Sequence, residues 1–387
     1  MNASSFIAGR LRFKGRIAMT AIAISYLVMI LAVSISSGFR KEIRSGIASI
    51  GGDVQLTGIE MNYLSEEGPI SACPPSLPSI DSLPAVESVA PVIYRAGIIK
   101  KGDSIHGVIF KGVQDDSLSS LGISVPSRLC DLLETGEGES LQAYFVGERV
   151  KVRRFTIKSV YRSIVNADDN IVVLASLEDL QRLNDWDEDE VSALEVTLAD
   201  RSRKAWRMKE ATDEIGTLAL LAAGPSDDAL IAKSSMDRYP QLFDWLDLLD
   251  FNVVAILILM TIVAGFNMIS GLLILLFQNI STIGTLKSLG MTDKSIASVF
   301  LRVSSSLVLK GMAIGNALAL LFCLVQGTTH IVPLNPDNYF ISFVPTNVNL
   351  PLILMADALS YVVIMLLLLI PTLFISKVDP AQTVRAQ

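Results

Sequence analysis

Four long stretches without a charged side chain restrict what this chain of 387 residues can fold into. Residues 17–39 carry no charge, and residues 251–286 run uncharged for longer still. Residues 311–336 are uncharged and are extended by 303–309 on the far side of Lys310. Residues 358–376 are uncharged and follow mostly apolar residues from Leu350. A helix of about 20 apolar residues crosses the hydrocarbon core, and each run is long enough. They account for a mean hydropathy of +0.49. A cleaved signal peptide fits the first run less well, because the run is too long and no small-x-small site follows. The expected fold class is an integral membrane α-helical protein with four transmembrane helices and a large α+β extracytoplasmic domain between helices one and two.

Lys and Arg in the short flanks orient such a chain. Arg10, Arg12, Lys14 and Arg16 precede the first span with no acid among them. Lys287 and Lys294 stand against Asp293 between spans two and three, and Lys377 and Arg385 against Asp379 after span four. The 327–349 connection has no Lys or Arg. The expected layout is a cytoplasmic elbow (1–16), TM1 (17–39), a periplasmic domain (40–249) and TM2 (251–277). A cytoplasmic coupling helix (278–296), TM3 (299–326), a periplasmic loop (327–349), TM4 (350–376) and a cytoplasmic tail (377–387) follow. Residues 40–249 hold 22 Lys and Arg against 34 Asp and Glu, a net of −12, whereas the remainder is at +5. An acidic outward domain argues against nucleic acid, which needs a basic face.

The outward segment mixes strand and helix signals without strict βαβ order. Val54 and Leu56 alternate with polar residues within 52–58. Residues 89–99 and 105–113 flank the turn Lys101-Gly102-Asp103, a hairpin signal. Residues 149–161 alternate, with Phe155, Ile157 and Tyr161 on one face. A buried-type strand at 171–174 leads into Ser176-Leu-Glu-Asp179, which reads as a capping box opening a helix to Leu183. A strand at 191–198, an amphipathic helix at 202–223 and a helical stretch at 227–249, broken near Tyr239-Pro240, complete it. The Pro-rich piece 69–84 reads as a surface loop or a subdomain link. Cys73 and Cys130 are either bonded or two part-buried thiols, and Cys323 falls in span three.

Catalytic signals are absent. There is no Gly-x-x-x-x-Gly-Lys-Ser/Thr to cradle nucleotide phosphates and no His-Glu-x-x-His or Gly-x-Ser-x-Gly. His106 and His330 are not in ligand spacing, so no metal is expected. The acidic run 185–190, broken by Trp186, reads as a solvated turn.

The stretch 279–302 is the most informative. Ile283, Leu286, Leu289 and Gly290 fall at helical spacing on one face, with Thr285, Lys287 and Ser288 on the others. A helix too short to span, held between two that do, suits the passage of force from a soluble partner into the membrane. The plain alternative is a loop helix lying on lipid. Two charges interrupt the later spans: Lys310, ~16 Å from one edge, and Asp357, ~10 Å from the other, at 1.5 Å per residue. Either they pair between spans three and four, or Lys310 snorkels to the headgroups and Asp357 reaches water.

These features together resemble an FtsX-like ABC-transporter permease, and within that family the lipoprotein-releasing, LolC/LolE-type branch. Phe6-Ile-Ala-Gly-Arg10 resembles its basic elbow. Ile283-Gly-Thr-Leu-Lys-Ser-Leu-Gly290 resembles its coupling helix, although relatives usually carry charges just before it where this chain has Gln278, Asn279 and Thr282. Leu334-Asn-Pro-Asp-Asn-Tyr-Phe-Ile-Ser-Phe-Val-Pro345 is similar to the Tyr…Pro loop of that branch, and Lys377-Val-Asp-Pro-Ala381 with Arg385 to the family's ending. Residues 155–161 and 171–196 are similar to its strand, Leu-Glu-Asp-Leu-Gln helix, and strand.

The resemblance implies a permease subunit without chemistry of its own in the inner membrane, its termini cytoplasmic. ATP and Mg would be bound by a separate ABC ATPase subunit, contacted through Ile283, Leu286, Lys287, Leu289, Gly290 and Met291. A second permease subunit, identical or homologous, would complete a cleft for an acylated lipoprotein, which a periplasmic carrier could then receive. Met29, Val33, Val254, Ile258, Ile262 and Phe266 are the candidate lipid-contacting residues, with plain helix packing as the alternative for each. Two other readings stay open: a macrolide- or peptide-type exporter permease, and a non-transporting signalling permease of the cell-division type.

Overall fold

The computed structural model describes residues 16–373 apart from 60, 62–67, 103, 119, 148, 162–170, 200–201, 204, 223–228, 336–338 and 340. The elbow at 6–10 and the ending at 377–385 lie outside the described residues. The chain divides into two compact units. One holds the residues up to Lys41, Trp245–Pro333 and those from Phe343 onward; the other holds Glu42–Asp244 and Leu334–Ser342.

Helix α1 (Arg16–Gly51) comes first. The strands that follow are β1 (Val54–Gly58), β2 (Ile70–Ser71), β3 (Val86–Lys101), β4 (Ser104–Val113), β5 (Gly122–Pro126) and β6 (Ser140–Phe145). They continue with β7 (Lys151–Tyr161), β8 (Ile171–Ser176), β9 (Glu190–Val191), β10 (Ala193–Leu198) and β11 (Leu230–Ser234). Between them lie α2 (Leu77–Asp81), α3 (Ser127–Leu133), α4 (Leu177–Asn184) and α5 (Ala205–Ala222), and α6 (Ser235–Arg238) follows β11. The main sheet runs β11-β1-β10-β3-β4-β8-β5-β7-β6. A further β3–β6 pairing closes its last six strands on themselves. Only β4–β8 and β5–β7 are parallel, which matches the mixed order read from the sequence. Phe110 packs against Phe145 and Phe155, with ring centroids 4.9 and 5.2 Å apart, at the core of the closed part.

The expected hairpin forms, with Lys101 opposite Ser104 and Gly102 at φ +59°. Residues 185–190 do form a turn. Asp185 caps α4 in a left-handed conformation and accepts a bond from Lys151 at 2.9 Å. That bond and the Lys151 charge hold its carboxyl below the ordinary carboxylate range. All three cysteines are free, with Cys73 exposed and Cys130 buried.

Two expectations fail here. The stretch 227–249 does not begin as helix: its early part is β11, an edge strand antiparallel to β1 with Val54 opposite Ser234. Five residues alternating Leu230 in and Ile231 out satisfy β1's free edge, which local helical pattern could not reveal. Ser176 does not cap α4 with its side chain. Asp179 instead accepts from the Leu121 amide at 2.8 Å, anchoring a turn in which Ser120 and Leu121 both have positive φ. A capping box does form at Ser234 and Asp237, opening α6. The break at Tyr239-Pro240 is present, since the next helix starts at Pro240.

The membrane unit adds α7 (Pro240–Gln278), α8 (Ile280–Ser288), α9 (Asp293–Thr329), α10 (Leu350–Leu367) and α11 (Leu369–Thr372). Among the described residues, α1, α7, α9 and α10 continued by α11 are the four helices long and apolar enough to cross a membrane. Ile22, Tyr26, Met268, Leu272, Phe300 and Ile364 form their shared core. Gly311 and Gly315 let α9 approach α1 closely: a Cβ on Gly315 would sit 2.4 Å from the Ala23 carbonyl oxygen. Small residues four apart permit such backbone approach between apolar helices.

Candidate functional site

The short helix α8 is built by its two ends. Asn279 interrupts the run from α7, its side-chain amide turning back to the Leu275 carbonyl at 2.8 Å. At the far end Gly290 takes φ +86°. Its N–H bonds the Lys287 carbonyl at 2.9 Å, and the Met291 N–H bonds that of Leu286 at 3.0 Å. This pair of bonds is a Schellman cap, which needs a left-handed residue at the position of Gly290. Leu286 and Met291, the two positions that flank such a cap, pack against the same apolar cluster. Ile283 is buried in that cluster.

The six residues singled out from the sequence therefore divide. Ile283, Leu286 and Met291 seat α8 on the membrane unit. Gly290 shapes its end. Lys287 bonds Asp293 at 2.9 Å and fastens α8 to the first turn of α9. Leu289 does not share the buried face: it is 79% exposed. Leu289 follows the helix as its cap with near-helical dihedrals (φ −81°, ψ 6°), and at 100° per residue it stands ~120° around the axis from Ile283, on the open side. Ser281, Thr282, Thr285 and Ser288 surround it on the open side.

The lipid-contacting candidates divide as well. Val254, Ile258, Ile262 and Phe266 recur every four residues on α7 and are between 42% and 64% exposed. They form one apolar stripe, opposite the face that buries Ala264, Met268 and Leu272. Met29 and Val33 on α1 are buried, Val33 in a cluster with Ala319 and Ile353. In a single subunit α1 is thus a packing helix, and those two residues line no open surface.

Lys310 and Asp357 do not pair. Lys310 is exposed. Asp357 is buried and accepts from the Asn316 amide at 2.6 Å. The bonds Ser305–Tyr361 (2.8 Å) and Asn316–Asp357 fix the antiparallel register of α9 and α10. Lys310 falls between those two levels, beyond reach of Asp357. The depth estimate counted residues from the ends of apolar runs, whereas α9 begins at Asp293, six residues earlier than the predicted TM3 start at 299. Ser360 extends the polar cluster, donating to the Tyr26 hydroxyl at 2.9 Å. One oxygen each of Asp357 and Asn316 has no partner among the described residues.

A further cluster escaped the sequence reading. Within the sheet unit, the C-terminal carbonyls of α1 are held by cations. Lys111 bonds the Ile50 carbonyl at 2.7 Å and Glu195 at 2.8 Å, and Tyr94 donates to the same carboxylate. Arg238 bonds the Gly51 and Gly52 carbonyls at 2.6 and 2.7 Å. Cations satisfy the orphan carbonyls at a helix C-terminus and complement its dipole. An isolated Lys inside a strand pattern, here Lys111, was the available signal.

The FtsX-like permease C-terminal family matches residues 254–380, and the MacB-like periplasmic core domain family matches residues 17–216. The lipoprotein-releasing system transmembrane protein LolC of Xylella fastidiosa (strain Temecula1) is 24% identical over 97% of this chain and 95% of its own length. LolC of X. fastidiosa strain 9a5c is 22% identical with the same coverage. The lipoprotein-releasing system transmembrane protein LolE of Haemophilus influenzae is 20% identical over 93% of this chain and 91% of its own.

Proposed function

We propose, because the chain belongs to the FtsX-like permease family and carries a MacB-like periplasmic core domain, that it is the permease subunit of an ABC transporter releasing lipid-anchored proteins from the outer leaflet of the inner membrane. The observation that carries this reading is that relatives named for lipoprotein release align along nearly their whole length. In this reading a separate ATPase subunit binds ATP and Mg and works on α8 through Leu289 and the hydroxyl-bearing face around it. The rigid seating of Ile283, Leu286 and Met291 passes the displacement to α7 and α9. A second permease subunit, identical or homologous, faces the α7 stripe, and a periplasmic carrier takes up the cargo. The termini and α8 are cytoplasmic, and the sheet unit is periplasmic.

The energetic demand fits an apolar path. Removing an acyl chain from lipid costs ~0.8 kcal/mol per CH₂, so a triacyl anchor needs tens of kcal/mol unless its chains stay against apolar side chains. Val254, Ile258, Ile262 and Phe266 offer such a surface. Depletion of the protein, followed by fractionation of lipoproteins between inner and outer membranes, tests the reading. Retention in the inner membrane is expected. An unchanged distribution would refute it. The MacB-like match leaves open a competing reading, a macrolide- or peptide-type exporter; there, depletion would raise sensitivity to such compounds and leave lipoprotein sorting intact.

A further inference from the structure

A slot of about 370 Å³ opens between α9 and the α10–α11 pair, wholly within the membrane unit. Lys294, Ser298 and Arg302 recur every four residues along its α9 wall, rising ~12 Å at 1.5 Å per residue. Met365, Leu369 and Thr372 form the opposite wall. Among the described residues no carboxylate lines the slot. Lys294 and Arg302 have no ion-pair partner among the described residues, whereas nearby Lys287 is matched by Asp293 at 2.9 Å. Arg302 lies three residues inside the predicted third span, at the depth where a guanidinium reaches the headgroup level and its anions.

The charges stand on the α9 wall, beside Ala297 and Leu301, and across the slot they face Met365 and Leu369, with the Thr372 hydroxyl at one end. A ligand that satisfies both is anionic at one end and hydrocarbon at the other. Free anions have no use for Met365 and Leu369. The flanking charges put this end of α9 at the cytoplasmic leaflet, whose anionic lipids are attracted to basic residues near helix ends.

We propose that this slot holds one anionic phospholipid of the inner leaflet. Lys294 and Arg302 donate to its phosphodiester oxygens, Ser298 adds a hydroxyl, and Met365 and Leu369 lie along an acyl chain. The lipid would bridge α9 to α10–α11 next to Asp293, the residue that fastens α8. The inference requires only that α9 crosses the membrane with its N-terminal end at the cytoplasmic face. It can fail while lipoprotein release stands, and the reverse.

Native mass spectrometry of the full-chain transporter complex, titrated with phosphatidylglycerol or phosphatidylcholine of identical chains, tests it. The expected result is one phosphatidylglycerol per chain, held at least tenfold better than phosphatidylcholine. The Lys294→Gln, Arg302→Gln double variant should lose that preference, and Arg302→Lys should keep it within threefold. Ser298→Phe, which fills the slot and keeps both charges, should also lose it, and serves if the double variant does not assemble. Equal retention of the two lipids, or undiminished phosphatidylglycerol binding in both disabled variants, would overturn the proposal. So would displacement by equimolar inorganic phosphate, which marks a free-anion site, or phosphatidylglycerol binding seen only after residues 374–387 are deleted.

Discussion

Replacing Leu289 with Asp separates a partner-facing role from a structural one. Leu289 is 79% exposed, so its own unit covers about a fifth of it. A fully buried Leu contributes ~1.5–3 kcal/mol, which leaves ~0.5 kcal/mol for its present contacts. The rest, ~1–2 kcal/mol, is available to a partner that covers it. An unpaired carboxylate left inside that contact costs a further ~1–3 kcal/mol. Together these amount to ~2–5 kcal/mol, or roughly thirtyfold or more in Kd at 1.4 kcal/mol per decade. The thermal midpoint should move by no more than ~2 °C.

The assay is titration of the purified ATPase onto the permease in nanodiscs, with lipoprotein released per ATP as the second readout. Leu289→Asp should weaken ATPase binding at least thirtyfold and lower release while the protein stays folded. Leu286→Asp should lower both the midpoint and release, because Leu286 packs in the apolar cluster. ATPase binding by Leu289→Asp within threefold of the parent would refute the assignment of the exposed face. Full release by Leu286→Asp would refute coupling through α8 altogether.

Gly290→Ala should cost ~1–2 kcal/mol, because the cap holds φ at +86° and a Cβ is strained there; thermal unfolding of that variant beside Gly290→Asn reads it. Photo-crosslinkers at Val254, Ile258, Ile262 and Phe266 should capture an acylated lipoprotein, while those at buried Met29 and Val33 stay silent; equal capture of unacylated cargo would count against the stripe. Lys310→Asp combined with Asp357→Lys should recover no folded protein over the single variants, whereas Asp357→Asn, which preserves a bond to Asn316, should be retained better than Asp357→Leu on size-exclusion. Maleimide should label Cys73 in the native protein well before Cys130, as peptide mass spectrometry reads; burial and then Asp131, Glu137 and Glu139 push the Cys130 thiol up.

What could be read in advance was whatever depends on neighbours along the chain. Uncharged runs located the four long helices, period-two alternation located β1 and β7, and a hairpin signal located β3 and β4. Turn chemistry at Lys101-Gly102 and the stop at Tyr239-Pro240 are likewise local. Three failures share one cause: each depended on a partner distant in sequence. β11 is a strand because β1 has a free edge. Asp179 leaves its helix cap because the Leu121 amide needs an acceptor. Asp357 meets Asn316 rather than Lys310 because helix register is set by packing, not by counting from the ends of apolar runs.

The short helix α8 is the instructive case. At 100° per residue Ile283 and Leu286 are ~60° apart, but Leu289 falls ~120° from Ile283 and leaves their face before the cap begins. Gly290 then ends the helix by a local rule that the sequence displays openly, a glycine after a helical run followed by an apolar residue. In the proposed reading the two functions of α8 fall to separate residues. Ile283, Leu286 and Met291 must hold the helix to the membrane unit, and Leu289 is left over for whatever arrives from outside it. A motif whose spacing looks like a single apolar face can therefore carry two surfaces.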